Sequence, residues 1–108
     1  MTGGRGPKRK GYTFECELID MAKRSGLDAE RAWGSNGAAL RLHPSVDCLI
    51  AGQRVQAKRR RKLGDWLAKA LSEHVDAVAL REDRGDPVVL LRFADWLDLV
   101  AGTLPRKE

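Results

Sequence analysis

The stretch SVDCLIAGQRVQAK, residues 45–58, constrains the fold more than any other part of the chain. Residues 46–51 read as a mostly apolar strand, Gly52 and Gln53 as a tight turn, and residues 54–58 as a second, alternating strand, which together predict a β-hairpin. Side chains two apart on a strand share a face, so Gln56 and Lys58 project together while Ala57 offers its carbonyl along the edge. The hairpin brings Asp47 alongside them. One carboxylate, one amide oxygen and one backbone carbonyl then lie beside a lysine.

The surrounding pattern places this hairpin within a mixed α/β fold. Over residues 12–25 the apolar positions Phe14, Leu18, Met21 and Ala22 recur at helical spacing, with Gly26 as the stop. Residues 29–33 read as a strand, Gly34 to Gly37 as a turn-rich loop, and residues 38–42 suit more than one state. After the hairpin, Leu63, Trp66, Leu67, Ala70 and Leu71 form one stripe of a helix ending near His74. Residues 75–80 and 88–92 are β-rich and flank the polar turn 81–86, and Phe93, Trp96, Leu97 and Val100 give a short helix stopped by Gly102. The expected order is αβββαββα: one domain over residues 11–102, a mixed β-sheet flanked by helices, with a short tail at 103–108.

At 108 residues and 43% hydrophobic content, one modest core is affordable. The first ten residues, MTGGRGPKRK, are too poor in apolar groups to pack and read as a mobile basic arm carrying Lys8, Arg9 and Lys10. Lysine and arginine total 20 against 15 acidic residues, a net +5 that favours a polyanionic partner. No apolar run approaches the roughly 20 residues of a membrane-spanning helix. The basic N-terminus is not followed by the apolar segment of a secretory signal, so a cytosolic location is expected. Cys16 and Cys48, one in a helix and one in a strand, fit reduced core residues there, and no CxxC pair suggests zinc.

The hairpin's donor set suits a hard cation. Carboxylate, amide and carbonyl oxygens are the ligands magnesium prefers, with other positions left to water and substrate phosphate. Lys58 can orient or help deprotonate an attacking water and stabilise charge developing on a phosphate. The run K58-R59-R60-R61-K62 starts at that lysine, so Arg59, Arg60, Arg61 and Lys62 would neutralise backbone phosphates without reading bases. Lys8, Arg9 and Lys10 extend the same track.

An acidic residue, a turn and then Q56-A57-K58 resembles the PD-(D/E)XK nuclease superfamily. K10-G11-Y12-T13-F14-E15-C16-E17-L18 is similar to the opening helix of archaeal-type Holliday junction resolvases, and G34-S35 to their glycine-serine loop. The resemblance spans about residues 8 to 100 and implies a restriction-endonuclease-like core. It implies that Glu15, Asp47, Gln56 and the Ala57 carbonyl hold Mg2+, with Mn2+ able to substitute, and that Glu15, Ser35, Asp47, Gln56 and Lys58 serve cleavage, Ser35 also touching DNA. Paired cuts on a four-way junction imply a homodimer, for which residues 63–71 offer a surface.

Gln56 departs from the glutamate usual in the resolvases and resembles Mrr-type restriction nucleases, leaving one anionic ligand fewer. A nicking or restriction-type enzyme of phage or mobile-element origin is therefore an alternative, as is a catalytically inactive DNA-binding module. The insertion between Gly37 and Asp47 is longer than the resemblance leads one to expect. His43 and His74 have no second ligand at metal spacing. Trp33, Trp66 and Trp96 fall on apolar stripes and are assigned to the core, Trp33 also lying beside the glycine-serine loop.

Overall fold

The computed structural model describes residues 5–32 and 42–102, the side chains being described from Tyr12 onward. It is a mixed α/β structure with three helices and two small antiparallel sheets among the described residues. The elements are α1 (Arg5–Arg24), β1 (Ala29–Arg31), β2 (Cys48–Ile50), β3 (Gln53–Val55), α2 (Asp65–Ala70), β4 (Ala77–Leu80), β5 (Val88–Leu91) and α3 (Phe93–Ala101). None of these helices is long and apolar enough to cross a membrane.

The single mixed sheet expected from sequence is replaced by two antiparallel ones, β1-β2-β3 and β4-β5. Each strand pairs antiparallel with a sequence neighbour, so neither sheet needs a crossover connection. The chain correspondingly divides into two compact units, Met1–Arg59 and Arg60–Glu108.

In the first unit α1 begins at Arg5, so residues 5–10 belong to the helix and not to an arm. Pro7 is tolerated because amides of a first helical turn have no intrahelical acceptor to lose. Gly26, at φ 81°, ends the helix. The Leu27 amide donates to the Ala22 carbonyl at 3.0 Å and the Gly26 amide to Lys23 at 2.9 Å. That pair of bonds satisfies carbonyls the last turn would leave open. Leu18 and Ala22 on α1 are buried, as are Cys48 and Ile50 on β2 and Ala32 just beyond β1. Helix α1 packs on β1 and β2, so this small core is the contact between helix and sheet.

The β2–β3 turn is Ala51-Gly52, at φ 49° and 79°, one residue earlier than the sequence pattern implies. Two consecutive positive φ values match the right-handed twist of a two-residue hairpin. The register pairs Cys48 with Val55, Leu49 with Arg54 and Ile50 with Gln53, so both strands are shorter than expected and Gln56 to Lys58 lie past the end of β3.

The second unit has a thinner interior: Leu97 of α3 is its buried apolar residue among those described. Helix α2 is six residues long and buries none of them, ending well before His74. Leu63 and Trp66, expected on a core stripe, are exposed. Trp96 is half-buried against Phe93, with ring centroids 5.6 Å apart, whereas Trp33 lies outside the described residues. Arg92 fastens α3 to the chain before β4 by donating from Nη1 to the Val75 carbonyl at 3.0 Å and from Nη2 to the Ser72 carbonyl. Gly102, at φ 72°, closes α3 as the sequence implies.

Ala51 is the costly position of the hairpin, because a Cβ in the left-handed region is strained by about 1–2 kcal/mol. Asparagine tolerates that region better. Ala51→Asn should raise stability by roughly 0.5–1 kcal/mol, visible as a higher midpoint in urea denaturation at unchanged slope.

Candidate active site

Asp47 sits at the open end of the three-stranded sheet, bonded to both neighbouring strands. Its carbonyl accepts from the Ala32 amide at 2.8 Å, and its own amide donates to the Val55 carbonyl at 2.8 Å. The first bond continues the β1–β2 register, in which Ala29 faces Ile50. The second does not continue the β2–β3 register: Cys48 already pairs with Val55, so two successive residues of one chain oppose a single residue of the other. Such a bulge re-aims the side chain that precedes it. The Asp47 carboxylate turns toward the outgoing chain, where Oδ2 accepts from the Ala57 amide at 2.6 Å.

This bond ties Asp47 to the middle of Gln56-Ala57-Lys58 through the backbone amide of Ala57 and not through the Gln56 or Lys58 side chains. Ala57 is half-buried, while Gln56 and Lys58 are both exposed. Neither lies within β3, so the strand alternation that would give them a shared face stops short of them. Arg59 to Lys62 are exposed as well, and Lys62 pairs with Asp65 at 3.2 Å.

Glu15 comes from α1 and is not a solvated face residue. Its Oε1 accepts from Arg31 Nε at 2.9 Å and lies 2.9 Å from Nη2 in the same ion pair, with both side chains mostly buried, at 16% and 17% exposure. The Arg31 guanidinium also lies 4.4 Å from the centre of the Tyr12 ring, near enough for a cation–π contact. Arg31 escaped the sequence analysis. The fold supplies its meaning: on β1 it shares a face with Ala29 and pairs with buried Cys48, and a charge on the inward face of a strand needs a partner.

Cys48 connects the two carboxylates. Burial pushes its thiol from 9.0 up to about 11, Glu15 and Asp47 push it the same way, and Arg31 opposes them. Carboxylates from a helix and from a strand thus both act on one buried thiol. Cys16 and Cys48 are free thiols.

The donor set fits a hard divalent cation in type. Glu15 and Asp47 supply carboxylates, with the Ala57 carbonyl and the Gln56 amide nearby in the chain. No group of three His, Cys, Asp or Glu side chains gathers at metal spacing among the described residues, so a cation here would depend on neutral oxygens, water and phosphate. Ser35, and residues 38–41 of the loop before Asp47, lie outside the described residues, and nothing is described of the side chains of Lys8, Arg9 and Lys10. His43 is bonded to Ser45 at 2.8 Å and serves its own loop.

Compared with known protein families, with characterised proteins and with solved structures, the chain matches none.

The raised Cys48 pKa predicts a definite pH response. The thiol is neutral in the folded protein up to about pH 11 but ionises near pH 9.0 when unfolded. Its contribution is complete below pH 9.0 and is lost as pH rises through about 11. The stability advantage of the wild type over Cys48→Ala, measured by urea denaturation, should therefore shrink across that interval. A constant difference would contradict it.

Proposed function

We propose that this chain is a metal-dependent DNA endonuclease, acting on branched duplex as a Holliday junction resolvase and assembling as a homodimer. The observation that carries the reading is the Asp47–Ala57 bond, which fastens a carboxylate to the segment carrying Gln56 and Lys58. That is the juxtaposition the resemblance to PD-(D/E)XK nucleases requires.

In this reading Glu15, Asp47, Gln56 and the Ala57 carbonyl would hold Mg2+ or Mn2+. When bound, the cation supplies Lewis-acid polarisation of the scissile phosphate and lowers the pKa of water. Lys58, exposed and next to Ala57 in the chain, would orient the attacking water and offset charge building on the phosphate. Arg59, Arg60, Arg61 and Lys62 hold the DNA backbone through charge without reading sequence, and Lys8, Arg9 and Lys10 extend that contact. Ser35 contributes to cleavage from its loop. Gln56 in place of a carboxylate lowers the site's negative charge and makes it lean on substrate phosphate.

One observation favours a second reading. Glu15 is already neutralised by Arg31, and a permanent pairing would leave a DNA-binding module without catalysis. The two readings part in one experiment. Purified protein with Mg2+ on a labelled four-way junction should give symmetric nicks, with linear duplex of the same sequence cut more slowly. Asp47→Ala and Lys58→Ala should each slow cutting by about 100-fold or more while junction binding persists. Salt-sensitive binding with no metal-dependent cutting would select the binding module, equal cutting of linear duplex the nicking enzyme, and full activity in both variants would dismiss this site.

A further inference from the structure

The Glu15–Arg31 pair is an unusual arrangement for a carboxylate assigned to a cation site. Nε and Nη2 of Arg31 both approach the same oxygen, Oε1, at 2.9 Å, the first donating a hydrogen bond to it. The pair is mostly shielded from water, so solvent does little to weaken its charge interaction. The guanidinium has a second support, the Tyr12 ring at 4.4 Å, and that ring is itself exposed. Arg31 can therefore slacken its hold on Glu15 while keeping a favourable aromatic contact.

A fixed positive charge and a dication cannot share Oε1 without strong repulsion. At a separation of about 5 Å, even a protein-like dielectric leaves that repulsion well above thermal energy. Arg31 and the cation consequently compete for one ligand. Without the competitor Arg31 does what the cation would do: it neutralises the Glu15 carboxylate.

We propose that Arg31 is an internal counter-cation that occupies Glu15 in the metal-free protein and must release it for a divalent ion to bind, so that the strength of this ion pair sets the metal affinity of the site. The inference rests on the assignment of Glu15 and Asp47 as metal ligands. It adds a positioning residue and a regulatory consequence: metal loading is disfavoured until something offsets Arg31, which substrate phosphate drawn in by the basic run can do.

Mn2+ binding to the full-length protein, measured by titration calorimetry without DNA, tests this apart from activity. Arg31→Gln removes the charge but keeps a hydrogen-bond donor, and it should bind Mn2+ about tenfold or more tightly than wild type. Arg31→Lys should stay near wild type. The gain should vanish in the double variant Glu15→Gln/Arg31→Gln. Asp47-dependent binding in wild type that is unchanged or weaker in Arg31→Gln overturns the inference and leaves the nuclease reading standing. No Mn2+ binding in any of the proteins overturns both. Should Arg31→Gln fail to fold, the wild type still decides: its Arg31 Nε–H resonance should shift on saturation with Mg2+, and an unmoved resonance overturns the proposal.

Discussion

The hydrogen bond from the Ala57 amide to Asp47 Oδ2, at 2.6 Å, is the interaction on which the candidate site depends. A charged acceptor makes such a bond stronger than one between neutral groups. It does two things at once. It closes the sheet at the point where the β2–β3 pairing lapses, and it fixes the direction of the Gln56 to Lys58 segment, which has no further strand pairing to hold it. The slip that makes two residues oppose Val55 allows the carboxylate to reach that amide. The local loss of regular pairing and the placement of the chemistry are one feature.

Around Asp47 the fold supplies a helix–sheet contact and little else. Leu18 and Ala22 against Cys48 and Ile50 hold α1 where Glu15 reaches Arg31. The same packing buries Cys48, and burial, with the charges of Glu15 and Asp47 adding to it, is why its thiol resists ionisation. The stability of the helix–sheet contact and the electrostatics of the site therefore share residues, and a substitution at Cys48 or Ile50 would be felt in both.

Much of this was legible in the sequence because it rests on local rules. The α1 stripe and its Gly26 stop, the hairpin, the polar turn after β4 and the Gly102 stop each follow from periodicity or from a residue suited to positive φ. The sequence pattern brings Asp47 alongside Gln56 and Lys58, whereas the bond in the structure comes from the Ala57 amide. What escaped depends on distant contacts. The turn falls at Ala51-Gly52, not Gly52-Gln53, because Ala51 accepts a left-handed conformation that its own preference opposes. Residues 5–10 are helical although their composition reads as unpacked. Trp66 is exposed because α2 is too short to present a buried stripe, and the two sheets do not merge into one. Arg31 was missed since its meaning depends on a glutamate sixteen positions earlier, which only the fold brings near.

The central claim is that Glu15, Asp47 and Ala57 surround one divalent-cation position, and affinity cleavage tests it directly. Protein loaded with Fe2+ and treated with ascorbate and peroxide is cut in its backbone next to the bound ion, and the fragments are mapped by mass spectrometry. The account predicts cuts clustered near residues 15, 47 and 57, suppressed by excess Mg2+ and absent in Asp47→Ala. Cuts confined to the vicinity of His43 or His74, or the same pattern in Asp47→Ala, would contradict it.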